Sequence, residues 1–181
     1  MPKKEIEYNF DTFRSLSNEE LSFKEMLEAI FKFIEKDRNS DYKIMVGTDS
    51  EGYGDVSYVS AVVIHRIGNG ARAFICKNKV GTPTGALREK IYNETLISAS
   101  LAQRLVPSLT DVLGGEFVQK NLIIHIDVGQ KGDTKQMIKE VAGMIVGYGF
   151  QVETKPKSIA ASNVADRFCA PPKHVSPLPA T

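Results

Sequence analysis

Tryptophan is absent from this 181-residue chain, and cysteine occurs only twice. The first absence removes the largest aromatic platform on which a nucleobase could stack. The two thiols, Cys76 and Cys169, stand far apart, with no Cys-x-x-Cys and no His at ligand spacing. That argues against a zinc site and fits reduced thiols in a cytoplasmic protein. Long apolar runs are also missing. Stretches such as Leu122 to Ile124 fall far short of the ~18 residues a membrane span needs. The opening Met1-Pro2-Lys3-Lys4-Glu5 leads into polar sequence, so no secretory signal is expected. Nor does one sign of charge dominate: 23 basic residues stand against 22 acidic ones, for a net +1. The balance is uneven along the chain, with 7 basic and 9 acidic side chains in residues 1–40 against 16 and 13 in residues 41–181. Four of those 13 acids are candidate metal ligands. With them neutralised by cations the second region would suit a polyanion.

With 42% apolar and 25% charged residues, the composition is that of an ordinary globular domain. Residues 1–21 are polar with scattered aromatics and read as an arm. Ser22-Phe23-Lys24-Glu25 is a capping box opening a helix that carries Phe23, Met26, Leu27, Ile30, Phe31 and Ile34 at helical spacing. Three β-rich runs follow, Tyr42 to Asp49, Val56 to His65 and Ala71 to Lys79, the last two joined by Gly68-Asn69-Gly70. A long helix is expected from Ala86 to Val106, stopped by Pro107, with a loop over residues 107–120. Asn121 to Asp127 reads as a strand, Thr134 to Val146 as a helix, Phe150 to Lys155 as a strand and Ser158 to Cys169 as a last helix. The expected fold is α/β: a five-stranded mixed sheet in the order β-β-β-α-β-α-β-α with an added N-terminal helix. One domain over residues 22–170 would be followed by a proline-rich tail, 171–181. The first and fourth core strands should be parallel neighbours.

Two aspartates end such strands: Asp49 in Val46-Gly47-Thr48-Asp49-Ser50 and Asp127 in His125-Ile126-Asp127-Val128-Gly129. If the strands are parallel neighbours, both carboxylates reach the carboxyl edge of the sheet, where open α/β sheets bind ligands. Carboxylates that close repel unless a cation lies between them. On the long helix, Leu87, Ile91, Ser98, Leu101 and Leu105 fall within roughly 60° of Glu94, and Glu89 falls opposite. Glu94 is therefore expected on the buried face, where a carboxylate needs a metal or a base such as Arg88. Asp166 lies in a small-residue stretch, Ala160 to Arg167. Three Asp and one Glu form an all-oxygen set suited to Mg²⁺ or Mn²⁺. Two such ions can activate a water and stabilise the leaving oxygen in phosphodiester hydrolysis. Ser50, Lys131, Lys155, Lys157 and Arg167 are candidate contacts to substrate phosphates. His125 shares a strand face with Asp127 and is either a satisfied core histidine or a support for the metal ligands.

The element order and the series Asp49, Glu94, Asp127, Asp166 resemble the ribonuclease H fold and its catalytic tetrad. More closely, Leu21-Ser22-Phe23, Val46 to Ser50, His125 to Gly129, Gly143-Met144 with Gly149-Phe150, and Lys155-Pro156 through Ala160 to Asp166 resemble the YkuK-like family of bacterial proteins, which is ribonuclease-H-like. The resemblance covers nearly all of residues 20–170. It implies a metal-dependent nuclease or phosphodiesterase acting on RNA or DNA with two ions held by the four acids. The rival class is a non-catalytic ribonuclease-H-like module that binds nucleic acid or protein, since a fold alone does not fix function.

Overall fold

In the computed structural model, residues 8–51, 56–80, 87–128, 134–154 and Val164 are described. Two short strands come first, β1 (Thr12–Ser15) and β2 (Glu20–Ser22), followed by α1 (Phe23–Glu35). The strands β3 (Tyr42–Glu51), β4 (Val56–Arg66) and β5 (Ala71–Val80) form the meander. Then come α2 (Leu87–Leu113), α3 (Gly115–Asn121), β6 (Leu122–Ile126), α4 (Thr134–Gly147) and β7 (Gln151–Thr154). All strands join one sheet in the order β2-β1-β5-β4-β3-β6-β7. The pairs β3–β6 and β6–β7 are parallel, and the others antiparallel.

The sheet has seven strands, not five. The two additional strands lie in the stretch read as an arm. They are four and three residues long, too short to show alternation, and only Phe13 among β1 residues is buried. Their existence depends on pairing with β5, a non-local contact. Pro107 gives the second correction, because α2 runs through it to Leu113. The proline is exposed while Leu101, Leu105 and Leu109 are fully buried. Its missing N–H leaves the Gln103 carbonyl to water on the solvent side, and burial of the leucine stripe outweighs a penalty of about 3 kcal/mol. Residues 107–120 are consequently helical apart from Gly114, whose positive φ of 88° makes the break between α2 and α3.

Strand alternation gives the sheet two apolar faces. The first carries Ile44, Val46, Val62, Ile64 and Ile124 beneath Ile30 of α1, Leu101 and Leu105 of α2 and Val141 of α4. The second carries Met45, Val59, Ala61, Val63, Ala73 and Ile75, against which Val164 packs. The capping box forms as read: the Ser22 hydroxyl accepts from the Glu25 N–H, and the Glu25 carboxylate accepts from the Ser22 N–H at 2.8 Å. The other end of α1 is held by a buried cation. Arg66 Nε donates to the Tyr42 hydroxyl at 2.8 Å, its Nη2 donates to the Phe33 carbonyl at 2.6 Å, and its guanidinium lies 4.6 Å from the Phe33 ring centre. A positive charge on a C-terminal carbonyl also suits the helix dipole. Arg66→Leu removes both donors and leaves that carbonyl and hydroxyl poorly solvated. We expect a loss of about 2–3 kcal/mol, read as a lower urea midpoint with an unchanged denaturant slope.

Candidate active site

The register of β3 on β6 pairs Val46 with Ile124 and Gly47 with His125. Continued by two residues, it sets Asp49 opposite Asp127, although β3 runs past Asp49 to Glu51 and Asp127 follows the end of β6 by one residue. Both aspartates are half-buried. By alternation they share the second face with Met45 and Ile123. The Ser50 backbone N–H donates to Asp49 Oδ1 at 2.8 Å, so the chain itself fixes the carboxylate's rotamer.

Glu94 comes from α2, over the first face. It is 7% exposed, as its place on the helix predicts, whereas Glu89 is exposed. Leu87, expected on the same buried face, is 60% exposed because it is the first residue of α2 and projects past the packed region. Four small polar residues let α2 sit close to the strands here. Ser98 Oγ donates to Thr48 Oγ1 at 2.9 Å, Thr48 and Ser60 exchange a hydrogen bond of 2.9 Å, and the Ser50 hydroxyl donates to Glu94 Oε1 at 2.6 Å. Arg88 is not the partner of Glu94; it reaches across to Glu140 of α4 at 2.6 Å. Burial pushes the Glu94 carboxyl up to about 7. The Ser50 hydrogen bond opposes that rise, the Asp49 charge adds to it, Lys90 opposes it, and Asp127 adds to it. The charges of Asp49 and Asp127 thus both reach Glu94.

His125 is buried at 2% exposure, with Nε2 3.4 Å from Glu153 Oε2, and the other Glu153 oxygen lies 3.3 Å from Lys43 Nζ. The sequence did not reveal that cross-strand set, because Glu153 meets His125 only through the β6–β7 register. Asp166, Lys131, Lys155, Lys157 and Arg167 lie outside the described residues. Among the described residues, no three His, Cys, Asp or Glu side chains are grouped closely enough to hold a metal ion. The physical reason lies in the faces: Asp49 and Asp127 belong to the second, while Glu94 descends from the first and touches the pair's edge through Ser50. Among the described residues, no helix is long and apolar enough to cross a membrane.

Comparison with known proteins places the chain in a family. The profile of the ribonuclease H-like family matches residues 25–170. The chain belongs to the ribonuclease H-like family. A relative, the uncharacterised protein YkuK of Bacillus subtilis (strain 168), is 35% identical over 164 residues, which cover 86% of this chain and 95% of that protein. No solved structure matches. The family match of this ribonuclease H-like chain spans α1 through β7 apart from the first two residues of α1.

Proposed function

We propose that the protein is a divalent-metal-dependent nuclease or phosphodiesterase that acts on RNA or DNA. The observation that carries this reading is Glu94: a nearly buried carboxyl, raised to about 7 chiefly by desolvation and further by the charges of Asp49 and Asp127. Two aspartates set opposite each other on neighbouring strands at the ligand-binding edge of a sheet repel and suit a cation better than an apolar ligand. The donor set fits Mg²⁺ or Mn²⁺, being carboxylate oxygens without soft ligands. Asp49 and Asp127 would hold the ions, with Glu94 and Asp166 completing the two sites. Bound there, such ions supply an activated water and charge neutralisation at the leaving oxygen. The chain's own part is to fix that geometry. The Ser50 N–H orients Asp49, the Ser50 hydroxyl orients Glu94, and the His125–Glu153–Lys43 set stiffens the strand that bears Asp127. Cys76 is buried, its thiol pushed up to about 11 chiefly by desolvation, and fits a reducing cytoplasmic compartment.

The rival is a ribonuclease-H-like binding module without catalysis. One assay separates them. The protein is incubated with single-stranded RNA, single-stranded DNA and an RNA–DNA hybrid, in Mg²⁺, in Mn²⁺ and in EDTA. Cleavage that EDTA abolishes is the expected result. Binding of any of the three with no cleavage in either metal would leave the binding module.

A further inference from the structure

Asp49 faces the second side of the sheet, so its chain neighbours Thr48 and Ser50 face the first, where α2 packs. Both of their hydroxyls grip α2 around Glu94. The Ser50 hydroxyl donates to Glu94 Oε1 at 2.6 Å. Thr48 Oγ1 accepts from Ser98 Oγ at 2.9 Å, and Ser98 shares that proton with the main-chain carbonyl of Glu94, also at 2.9 Å. Ser60 of β4 backs Thr48 at 2.9 Å. Thr48, Ser50, Ser60, Ser98 and Glu94 are all buried. Glu94 is therefore held twice: at its carboxylate by Ser50, and at its backbone by Thr48 acting through Ser98.

The spacing lets two hydroxyls do this. Two residues of a strand advance about 6.7 Å, and the four residues from Glu94 to Ser98 advance about 6 Å along a helix. Thr48 beneath Ser98 and Ser50 beneath Glu94 thus set α2 antiparallel to β3 in one register. A slip of one helical residue would shift Glu94 by about 1.5 Å and turn it by about 100°, breaking both contacts. Ser50 has two donors, its main-chain N–H and one hydroxyl proton. Asp49 Oδ1 takes the first at 2.8 Å and Glu94 Oε1 the second, so both are spent on carboxylates. We propose that Thr48 and Ser50 are positioning residues: the hydroxyls on either side of Asp49 set Glu94 against the strand that carries Asp49, and neither contacts substrate. The proposal rests on the metal-site reading above and assigns what holds Glu94 in that site.

The test is calorimetric titration with Mn²⁺ of wild type, S50A, S50T, T48V, T48S, E94Q and S50A/E94Q. The main-chain N–H of residue 50 survives in S50A, so Asp49 keeps its hydrogen bond and only Glu94 loses a partner. Deleting an outer partner of a metal ligand costs about 10–100-fold in affinity, and S50A should fall in that range. T48V should weaken the site less, because it acts on Glu94 through Ser98. The hydroxyl-keeping variants S50T and T48S should bind as wild type does. In the E94Q background S50A should cost nothing further, since its effect runs through Glu94. A second readout needs no metal: in EDTA, the carbon NMR signal of the Glu94 side-chain carboxyl should move in S50A and return in S50T. Wild-type affinity in S50A, or its full loss repeated in S50A/E94Q, overturns the proposal and leaves the metal site standing. A carboxyl signal unmoved in S50A overturns the proposal as well. A wild type with no specific Mn²⁺ site, whose Glu94 carboxyl still answers to Ser50, overturns the metal reading and leaves the hold on Glu94 standing.

Discussion

Asp49→Asn is expected to abolish metal-dependent cleavage while leaving the fold intact. Asparagine keeps the size of the side chain, and its amide oxygen can still accept the 2.8 Å hydrogen bond from the Ser50 N–H. What it removes is a negative charge at the ligand edge of β3. Deleting an outer partner of a metal ligand typically costs 10–100-fold in affinity or activity; deleting a ligand should cost more, at least ~100-fold in kcat/KM. Calorimetric titration with Mn²⁺ supplies a second readout, with a specific site in wild type and none in the variant. A third readout follows from the electrostatics. The Asp49 charge helps hold Glu94 up near 7, so Glu94 should titrate lower in the variant, a shift visible by carbon-detected NMR of the side-chain carboxyl. Cleavage retained at the wild-type rate would remove Asp49 from the chemistry. An unmoved Glu94 titration would show that the two carboxylates do not sense each other.

The same residues show what sequence could and could not disclose. Asp49 and Glu94 were legible because their placement follows from local periodicity: a strand end marked by a Gly-Thr-Asp run, and a helical wheel that sets Glu94 among Ile91, Ser98, Leu101 and Leu105. The capping box at Ser22 was legible for the same reason, being a contact between residues three apart. Features that depend on long-range register were not legible. The β1–β2 hairpin exists through its pairing with β5. Pro107 misled because its local rule is real but weaker than the burial of Leu105 and Leu109 on either side. Asp127 was placed by analogy of position, and the β3–β6 register then supports setting it opposite Asp49.

Glu94 also makes the stability of the metal-free protein depend on pH in a direction opposite to that of an ordinary salt-bridged acid. Its carboxyl titrates near 7 when folded and near 4.5 otherwise. Between those values the native state therefore holds a proton that the unfolded chain has released. Stability then falls as pH rises through that window, and is flat below and above it. At about 1.4 kcal/mol per unit, the loss amounts to about 3 kcal/mol. Glu94→Gln is uncharged at every pH and can still accept the Ser50 hydroxyl through its amide oxygen. In urea melts with EDTA, the variant should match wild type near pH 4 and exceed it near pH 8, the difference opening between about 4.5 and 7. Added Mn²⁺ should narrow the difference at pH 8, because a cation beside these carboxylates favours the ionised forms that the metal-free fold resists. At a hundredfold excess over its dissociation constant, the ion would add about 2.7 kcal/mol to wild type. The gain should be smaller near pH 5, where protons compete for the same oxygens, and smaller in Glu94→Gln at any pH. A wild type that loses no stability across the window would mean Glu94 is solvated in solution. A Mn²⁺ gain equal in wild type and variant would place the ion elsewhere on the protein.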